Sequence, residues 1–594
     1  MAIRSGEQQE KRCRAMNLQS KESFHLGDRI VYPLQGVVTH DGKPVHLQPK
    51  VMSVLLCLAE QAGEVVTREE IVRQVWKGRA VSDESLTRCI SELRLALGDH
   101  PKLPEFLQTI PKIGYRLVKN VEIGGDINAI AVIPFDSLNN TVADESFCDG
   151  LSEEILLAFS RIPDLRVAAR TSSFSFKGKH ADIPTIGRAL HVDAILEGSV
   201  GSRRKGWLQV NVRLINVHDG FPIWVERYER EARELFDIQE DIARAVSKAL
   251  EIDILHHAKQ PLVKKPTQNV NAYSLYLRGR SHWYRRSYDA LMQAIEYFNQ
   301  AIEEDPNYAN AYSGLAESWV LLAIWGYIDL EQPVAKARAA AERALELDPS
   351  LPGTHAAMGV LAHYWDWDWQ GARDSFEEAL RLDPSYSTAR NWYSVHLADL
   401  GHIDESFKQL DAAAEHDSLN VIINAQYAYT NIMAHRFDAA IEAARHALSI
   451  DQTYIPALFY IGWAQQLSGN TEAALAQFLR VAQPLPVFRQ FLAAAYSLAD
   501  YRDDALIILE ELEATRAEGK HYVSPYFTAV IHLNLGDHDA AFDWLATAAS
   551  ERTVQIVRVA SDPNLIALRD DPRFGELLKR LKQPGDRDRP GDSR

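Results

Sequence analysis

The sequence predicts a multidomain chain: a small α+β module at the amino end, a small α/β domain after it, and an all-α repeat array filling the rest. Three observations predict this. Within residues 24–120, short alternating segments and turn signals surround three stretches of helical periodicity. Between 129 and 262, a continuous apolar run and several alternating runs are interleaved with amphipathic helices. From 272 onward, Ala and Asp recur four residues apart at a period close to 34.

Composition agrees with a folded chain. The 594 residues are 46% hydrophobic and 24% charged, which excludes wholesale disorder. The net charge of −17 is unevenly spread: residues 1–120 hold 18 Lys+Arg against 14 Asp+Glu, and the remainder holds 46 against 67. A mildly basic end on an acidic body points to an anionic partner for that end only. Cys13, Cys57, Cys89 and Cys148 share no CxxC spacing, so a disulfide scaffold and a zinc ribbon are excluded and a reducing compartment is expected. The first 22 residues lack the apolar core of a signal peptide. The charge-free stretch 452–471 contains Pro456 and ends in a polar turn, so no membrane span is expected. The chain is therefore expected in the cytoplasm, with no membrane partner.

The elements of the first module follow in order. Residues 24–48 read as a small antiparallel sheet with a turn at His40-Asp41-Gly42-Lys43. Val51, Val54, Leu55, Leu58 and Ala59 recur at helical spacing up to Gly63. Thr67-Arg68-Glu69-Glu70 has the spacing of a capping box and opens a second helix ending at Trp76. In the third helix Ser82 is the expected N-cap, Leu86, Ile90, Leu93 and Leu97 form one apolar stripe, and Gly98 stops it. Its other faces present Ser85, Thr87, Arg88, Ser91, Glu92 and Arg94. A helix half buried and half rich in donors is what major-groove reading requires, because Arg, Ser and Thr match base edges and phosphates. Residues 107–117 read as two strands joined by a tight turn at 112–114.

The linked motifs "VVTREEIVRQVW", "SDESLTRCISELRLALGD" and "TIPKIGYRL" resemble the OmpR/PhoB-type winged-helix domain of response regulators and membrane-bound activators. The resemblance implies that residues 82–97 enter the major groove of double-stranded DNA. It also implies that the hairpin residues Thr109, Lys112, Tyr115 and Arg116 lie on the backbone or minor groove, and that Trp76 packs at a phosphate. The expected DNA-binding set is Trp76, Ser85, Thr87, Arg88, Ser91, Arg94, Thr109, Lys112, Tyr115 and Arg116. Two positions depart from the family pattern: Glu92 falls on the groove-facing side, and Ile113 stands where a basic wing residue is frequent. The stretch before Phe24 is too short for a phosphorylatable receiver domain, so control is expected from the residues that follow.

After a linker at 121–128, the runs at 129–135, 165–169, 194–200, 208–217 and 222–228 read as strands, with helices at 151–159, 183–190 and 234–254. The motifs "AIAVIPFDSL", "FCDGLSEEIL", "LRVAARTSSF", "DAILEGSV" and "FPIWVERYERE" look like the TolB-amino-terminal-like domain, a resemblance that brings no defined ligand or catalytic set. Asp149, Glu153 and Glu154 read as a helix start, where negative charge offsets the dipole. No P-loop, HExxH or nucleophile elbow is present. No catalytic, metal or cofactor site is expected, and the chain is read as a non-enzyme.

In the array, Asp305, Asp348, Asp383, Asp417 and Asp451 each follow an Ala by four residues (Ala301, Ala344, Ala379, Ala413, Ala447), and Pro306, Pro349 and Pro384 follow the first three. This pattern resembles tetratricopeptide repeats: the Ala lets paired helices approach, and the Pro ends the helix. Weaker copies at 454–486, 487–519 and 522–552 bring the number to about eight. Trp365-Asp366-Trp367-Asp368-Trp369 reads as a repeat-packing turn rather than a ligand cage, and His256-His257 as no metal site.

The expected domains are a flexible tail at 1–23, the winged helix at 24–120, the linker at 121–128, the α/β domain at 129–262, the repeat array with its carboxy-terminal cap at 272–582, and a disordered tail at 583–594. Together these resemble the CadC-like one-component transcriptional regulators, here without a transmembrane helix. The winged helix is expected to read promoter DNA, with tandem copies on direct repeats and the loop 77–81 a candidate for touching RNA polymerase. The array is expected to bind a protein or peptide partner or to self-associate. Two alternatives stand beside this reading: a non-catalytic repeat scaffold, and a small-ligand sensor working through the α/β domain.

Overall fold

The computed structural model describes residues 24–582 apart from 28, 41–42, 78–82, 120, 124–126, 139–141, 161, 163–164, 180, 202–206, 232–233, 251–265, 326–330, 416, 483–488, 500 and 519–521. The expected N-cap Ser82, most of the loop 77–81, His256-His257 and both tails lie outside these residues. The chain divides into two compact units, Met1–Ile127 and Asn128–Arg594.

In the first unit, β1 (Phe24–Leu26), β2 (Arg29–Tyr32), β3 (Val37–His40) and β4 (Lys43–His46) form an antiparallel meander. There follow α1 (Pro49–Ala59), β5 (Val65–Thr67), α2 (Arg68–Val75), α3 (Asp83–Leu97), β6 (Leu107–Ile110) and β7 (Gly114–Leu117). A last strand, β8 (Val121–Ile123), pairs with β1 and completes the sheet β4-β3-β2-β1-β8. It occupies part of the stretch read from the sequence as linker, where three alternating residues are too short a run to stand out. Strands β5, β7 and β6 make a second, antiparallel sheet.

Local signals explain how α2 and α3 are set. Thr67 Oγ1 accepts from the Glu70 N–H at 3.2 Å, as the capping-box spacing requires. The stripe Leu86, Ile90, Leu93 and Leu97 is buried with Leu55, Leu58, Ile71 and Phe106. Gly98 ends α3 with a left-handed φ of +70°, and the Arg29 guanidinium donates to the Leu97 carbonyl at 3.1 and 3.2 Å. Strands β5 and β7 approach so closely that a Cβ at Gly114 would lie 2.0 Å from the Val66 carbonyl oxygen.

The second unit opens with β9 (Ala129–Val132), β10 (Asp136–Ser137), α4 (Val142–Phe159), β11 (Arg166–Val167), α5 (Arg170–Phe174), α6 (Ile183–Leu190), β12 (Ala194–Gly201), β13 (Trp207–Asn216), β14 (Pro222–Glu231) and α7 (Leu235–Ala249). Strand β9 lies parallel between β11 and β12, and β12, β13 and β14 continue antiparallel; β10 pairs with β12. All four β9 residues are buried, hence the unbroken apolar run. Helix α4 begins at Val142, so Asp149 and Glu153 stand in its middle rather than at its start. The helix-dipole reading of these carboxylates therefore gives way: they are buried, Asp149 on Lys177 and Glu153 on Arg170 and Arg280, partners far apart in sequence.

Among the described residues eight helix pairs follow, from Val270–Trp283 with Tyr288–Glu304 to Pro525–Asn534 with His538–Ser550. The repeat signature explains their joints. Ala301, Ala344, Ala379, Ala413 and Ala447 are buried, and each accepts at its carbonyl from the N–H of the Asp four residues on. Asp305, Asp348, Asp383 and Asp451 then accept from the N–H two residues further along, closing the turn into the next pair. The tryptophan cluster turns the chain within a pair, between Pro352–Leu361 and Trp369–Leu382: the π-helical turn Ala362–Asp366 leads to Trp367 at φ +55°, with Trp365 and Trp367 buried. Short 3-10 helices at Val554–Arg558 and Pro563–Leu568 and a helix at Pro572–Arg580 end the described array.

The α/β domain is fastened to the array by buried polar contacts. Glu153 of α4 meets Arg170 at 3.0 Å, Arg280 at 3.5 Å and the Tyr284 hydroxyl at 2.8 Å. Arg280 also reaches Glu317 at 3.2 Å. Asp417, the one of the five periodic aspartates that is differently occupied, accepts from the Ser172 N–H at 3.0 Å and its hydroxyl at 2.8 Å.

Candidate nucleic-acid interface

Burying one face of α3 dictates what the other face offers. Opposite the apolar stripe, Glu84, Arg88, Ser91 and Leu95 fall at helical spacing and are exposed, with Thr87 beside them and Ser85 and Glu92 half-buried on the flanks. Arg88 pairs with Glu92 at 3.0 Å, one turn along the same face. The Ser91 hydroxyl donates to the Thr87 carbonyl at 3.0 Å. Leu95, which falls outside the expected DNA-binding set, is 84% exposed on this stripe.

Arg94 stands differently. It turns toward the hairpin, donating to the Leu107 carbonyl at 3.0 Å and to the Thr109 hydroxyl at 2.8 Å, and so ties α3 to β6. In β7, Arg116 donates to Gln108 Oε1 at 3.1 and 2.5 Å across the hairpin. Tyr115 belongs to the core at 3% exposure, and its hydroxyl accepts from Arg68 at 3.2 Å. Lys112 sits exposed at the hairpin tip in a left-handed conformation, φ +65°, next to the half-exposed Ile113. Trp76 caps α2 half-buried, with the Lys50 ammonium 5.6 Å from its ring centroid and donating to the Val75 carbonyl at 2.7 Å.

The structure thus gathers Ser85, Thr87, Arg88 and Ser91 on one helix, and Thr109, Lys112 and Arg116 on the hairpin after it. It also adds supports that no local pattern signals. Asp99 accepts from the N–H groups of His100, Glu105 and Leu107, fixing the path from α3 into β6. Arg29 and Arg68 act across 68 and 47 residues. Burial pushes the Cys57 thiol up to about 11, so it stays protonated at neutral pH. Among the described residues, no cluster of His, Cys, Asp or Glu could hold a metal ion, and no helix is long and apolar enough to cross a membrane.

Three helices between two small sheets, with a hairpin after the half-exposed third helix, define a winged-helix DNA-binding module. Residues 42–117 match the family described as transcriptional regulatory protein, C terminal, and residues 368–421 match the tetratricopeptide repeat. The chain is 25% identical over 401 residues to the transcriptional regulator HilA of Salmonella typhimurium, covering 66% of this chain and 70% of that protein. It is 29% identical over 242 residues to putative adenylate cyclase 3 of Rhizobium meliloti, 40% of either chain. The solved DNA-binding domain of Escherichia coli CadC is 31% identical over 17% of this chain and 95% of that one, with a TM-score of 0.16. The chain carries an OmpR/PhoB-type DNA-binding domain and tetratricopeptide repeats, and it is homologous to named transcription regulators.

Proposed function

We propose that this chain is a sequence-specific regulator of transcription whose α3 lies in the major groove of promoter DNA. The observation that carries the reading is the exposed stripe of Arg88 and Ser91, with Thr87 beside it, opposite a wholly buried one, inside the segment that matches the regulatory family. Arg88 reads a base edge once Glu92 releases it, Ser85, Thr87 and Ser91 take bases or phosphates, and Leu95 meets a thymine methyl. Lys112 and Thr109 touch the backbone from the wing, and Trp76 stands at a phosphate with Lys50. Arg94, Tyr115 and Arg116 serve by holding the helix and wing in register.

In this reading the chain acts in the cytoplasm and catalyses no reaction. Tandem copies occupy direct repeats, the loop 77–81 meets RNA polymerase, and the repeat array receives a protein partner or a second copy. The test is a gel-shift series on a preferred site. Arg88→Ala is expected to weaken it by about 1–3 kcal/mol, and Lys112→Ala to lower the salt slope by about 1. Unchanged affinity in Arg88→Ala would remove α3 from the groove. Exposed Leu95 and Ile113 favour a second reading, a protein-docking face on the same module; residues 1–127 that bind no genomic fragment would select it.

A further inference from the structure

A cavity of about 540 Å³ lies between the α4–α5 side of the α/β domain and the inner face of the repeat array. Leu156 and Phe174 line one wall, and Trp392, Tyr454 and Tyr460 line the other. That volume suits a small organic molecule. Most ionic groups on its walls are already engaged within the protein. Asp399 holds His363 and Tyr429, Asp417 holds Ser172, Asp383 takes the Ser385 N–H and hydroxyl, Arg170 holds Glu153, and Arg558 holds Asp562.

Arg286 is the exception. Its guanidinium lies 3.8 Å from the Trp283 ring centroid, and its Nε has no hydrogen-bond partner among the described residues. It forms no ion pair among them either, since nearby Glu317 is bonded to Arg280 and to the Tyr386 hydroxyl. Burial pulls its pKa down to about 10, so it remains a cation at neutral pH. Two amides line the same cavity. Gln426 is 6% exposed with an unpartnered Nε2, and Asn391 has an unpartnered Oδ1. A half-buried cation and unpaired amides lining one cavity are costly for a fold to leave unsatisfied.

We propose that this cavity binds a small organic anion with a flat apolar body, its carboxylate or phosphate held by Arg286 and Gln426 and its body lying against Trp392 and Tyr460. A ligand so placed touches the α/β domain and the array at once, which makes it an effector of this unit, whatever DNA the first unit reads.

The test uses the full chain, with calorimetric titration and thermal unfolding. The probes are indole-3-acetate and salicylate as carboxylates, phenyl phosphate as the phosphate, and benzyl alcohol as the neutral control. At least one anion is expected to bind saturably, one per chain, and at least about tenfold tighter than benzyl alcohol, as a charge-assisted bond implies. The preferred head group separates carboxylate from phosphate. Arg286→Met is expected to abolish this binding while leaving Tm unchanged or higher, because it removes an uncompensated charge. Gln426→Leu should weaken binding several-fold, and it carries the test alone if Arg286→Met fails to fold. No saturable binding of any anion at millimolar concentration, or binding that survives these substitutions, overturns the proposal.

Discussion

Arginine does opposite work in the two units. On α3, Arg88 is 78% exposed and, among the described residues, meets a single carboxylate, Glu92, one turn away. In the second unit Arg280 is 9% exposed and is clamped between Glu153 and Glu317, with Tyr284 accepting a further bond at 2.9 Å. Water screens the first pair, so it is worth little and an incoming phosphate or base can take the cation over. The second has lost its water and depends on every partner being present. The difference teaches where each unit can meet another molecule: the first through charges left in solvent, the second through the Arg286 cavity that its own pairing leaves unsatisfied.

The sharpest way to break this comparison is Arg280→Ala. Leaving Glu317 buried without its cation, and Glu153 with Arg170 alone, should cost about 3–5 kcal/mol in the unfolding transition of the second unit. Urea unfolding of the full chain, followed by tryptophan fluorescence, measures it. A cost below about 1 kcal/mol, the range of an exposed pair, would mean that this cluster is as loosely held as Arg88. Arg94→Ala lies between the extremes: it removes one partly buried and one exposed bond, so a loss of about 1–2 kcal/mol from the first unit is expected. Its DNA binding should weaken through disorder of the wing, and a hairpin with unchanged amide exchange in that variant would deny Arg94 its positioning role.

Asp417 supplies a pH-linked version of the same contrast. Burial pushes its carboxyl above the usual carboxylate range despite bonds from Asn420 and Ser172. The folded state therefore binds the proton more tightly than the unfolded chain. Stability from this group is greatest below the unfolded pKa and falls as pH rises through the window up to the folded one. Asp417→Asn should flatten that fall in a Tm series across acid to neutral pH; superimposable profiles would show that the carboxyl titrates normally.

What could be read in the sequence was whatever repeats or caps locally. The stripe of Leu86, Ile90, Leu93 and Leu97, the Thr67 cap, the stop at Gly98 and the five Ala–Asp pairs each depend on neighbours within one or two turns, and their periodicity survives without tertiary knowledge. Illegible were contacts whose partners lie far apart. Asp417 looks like its four siblings, yet Ser172, 245 residues away, occupies it. Arg286 carries no mark of its isolation, because isolation is a property of what surrounds it. On α3, helical spacing alone could not tell that Arg94 turns to the hairpin while Arg88 faces water; both flank the same stripe.

The smallest stability effect belongs to Glu92, and it sharpens the comparison most. If Arg88 is held only by an exposed i,i+4 pair, Glu92→Gln should cost about 0.3–0.5 kcal/mol or less. The same change frees the Arg88 guanidinium and removes a negative charge beside it, so affinity for non-specific duplex should rise and steepen with falling salt. Discrimination between sites should change only where a cytosine amine had met the Glu92 carboxylate. Fluorescence anisotropy with specific and scrambled duplexes at two salt concentrations separates these effects. A stability loss without any gain in DNA affinity would mean that Glu92 holds Arg88 for the fold rather than restraining it for the groove.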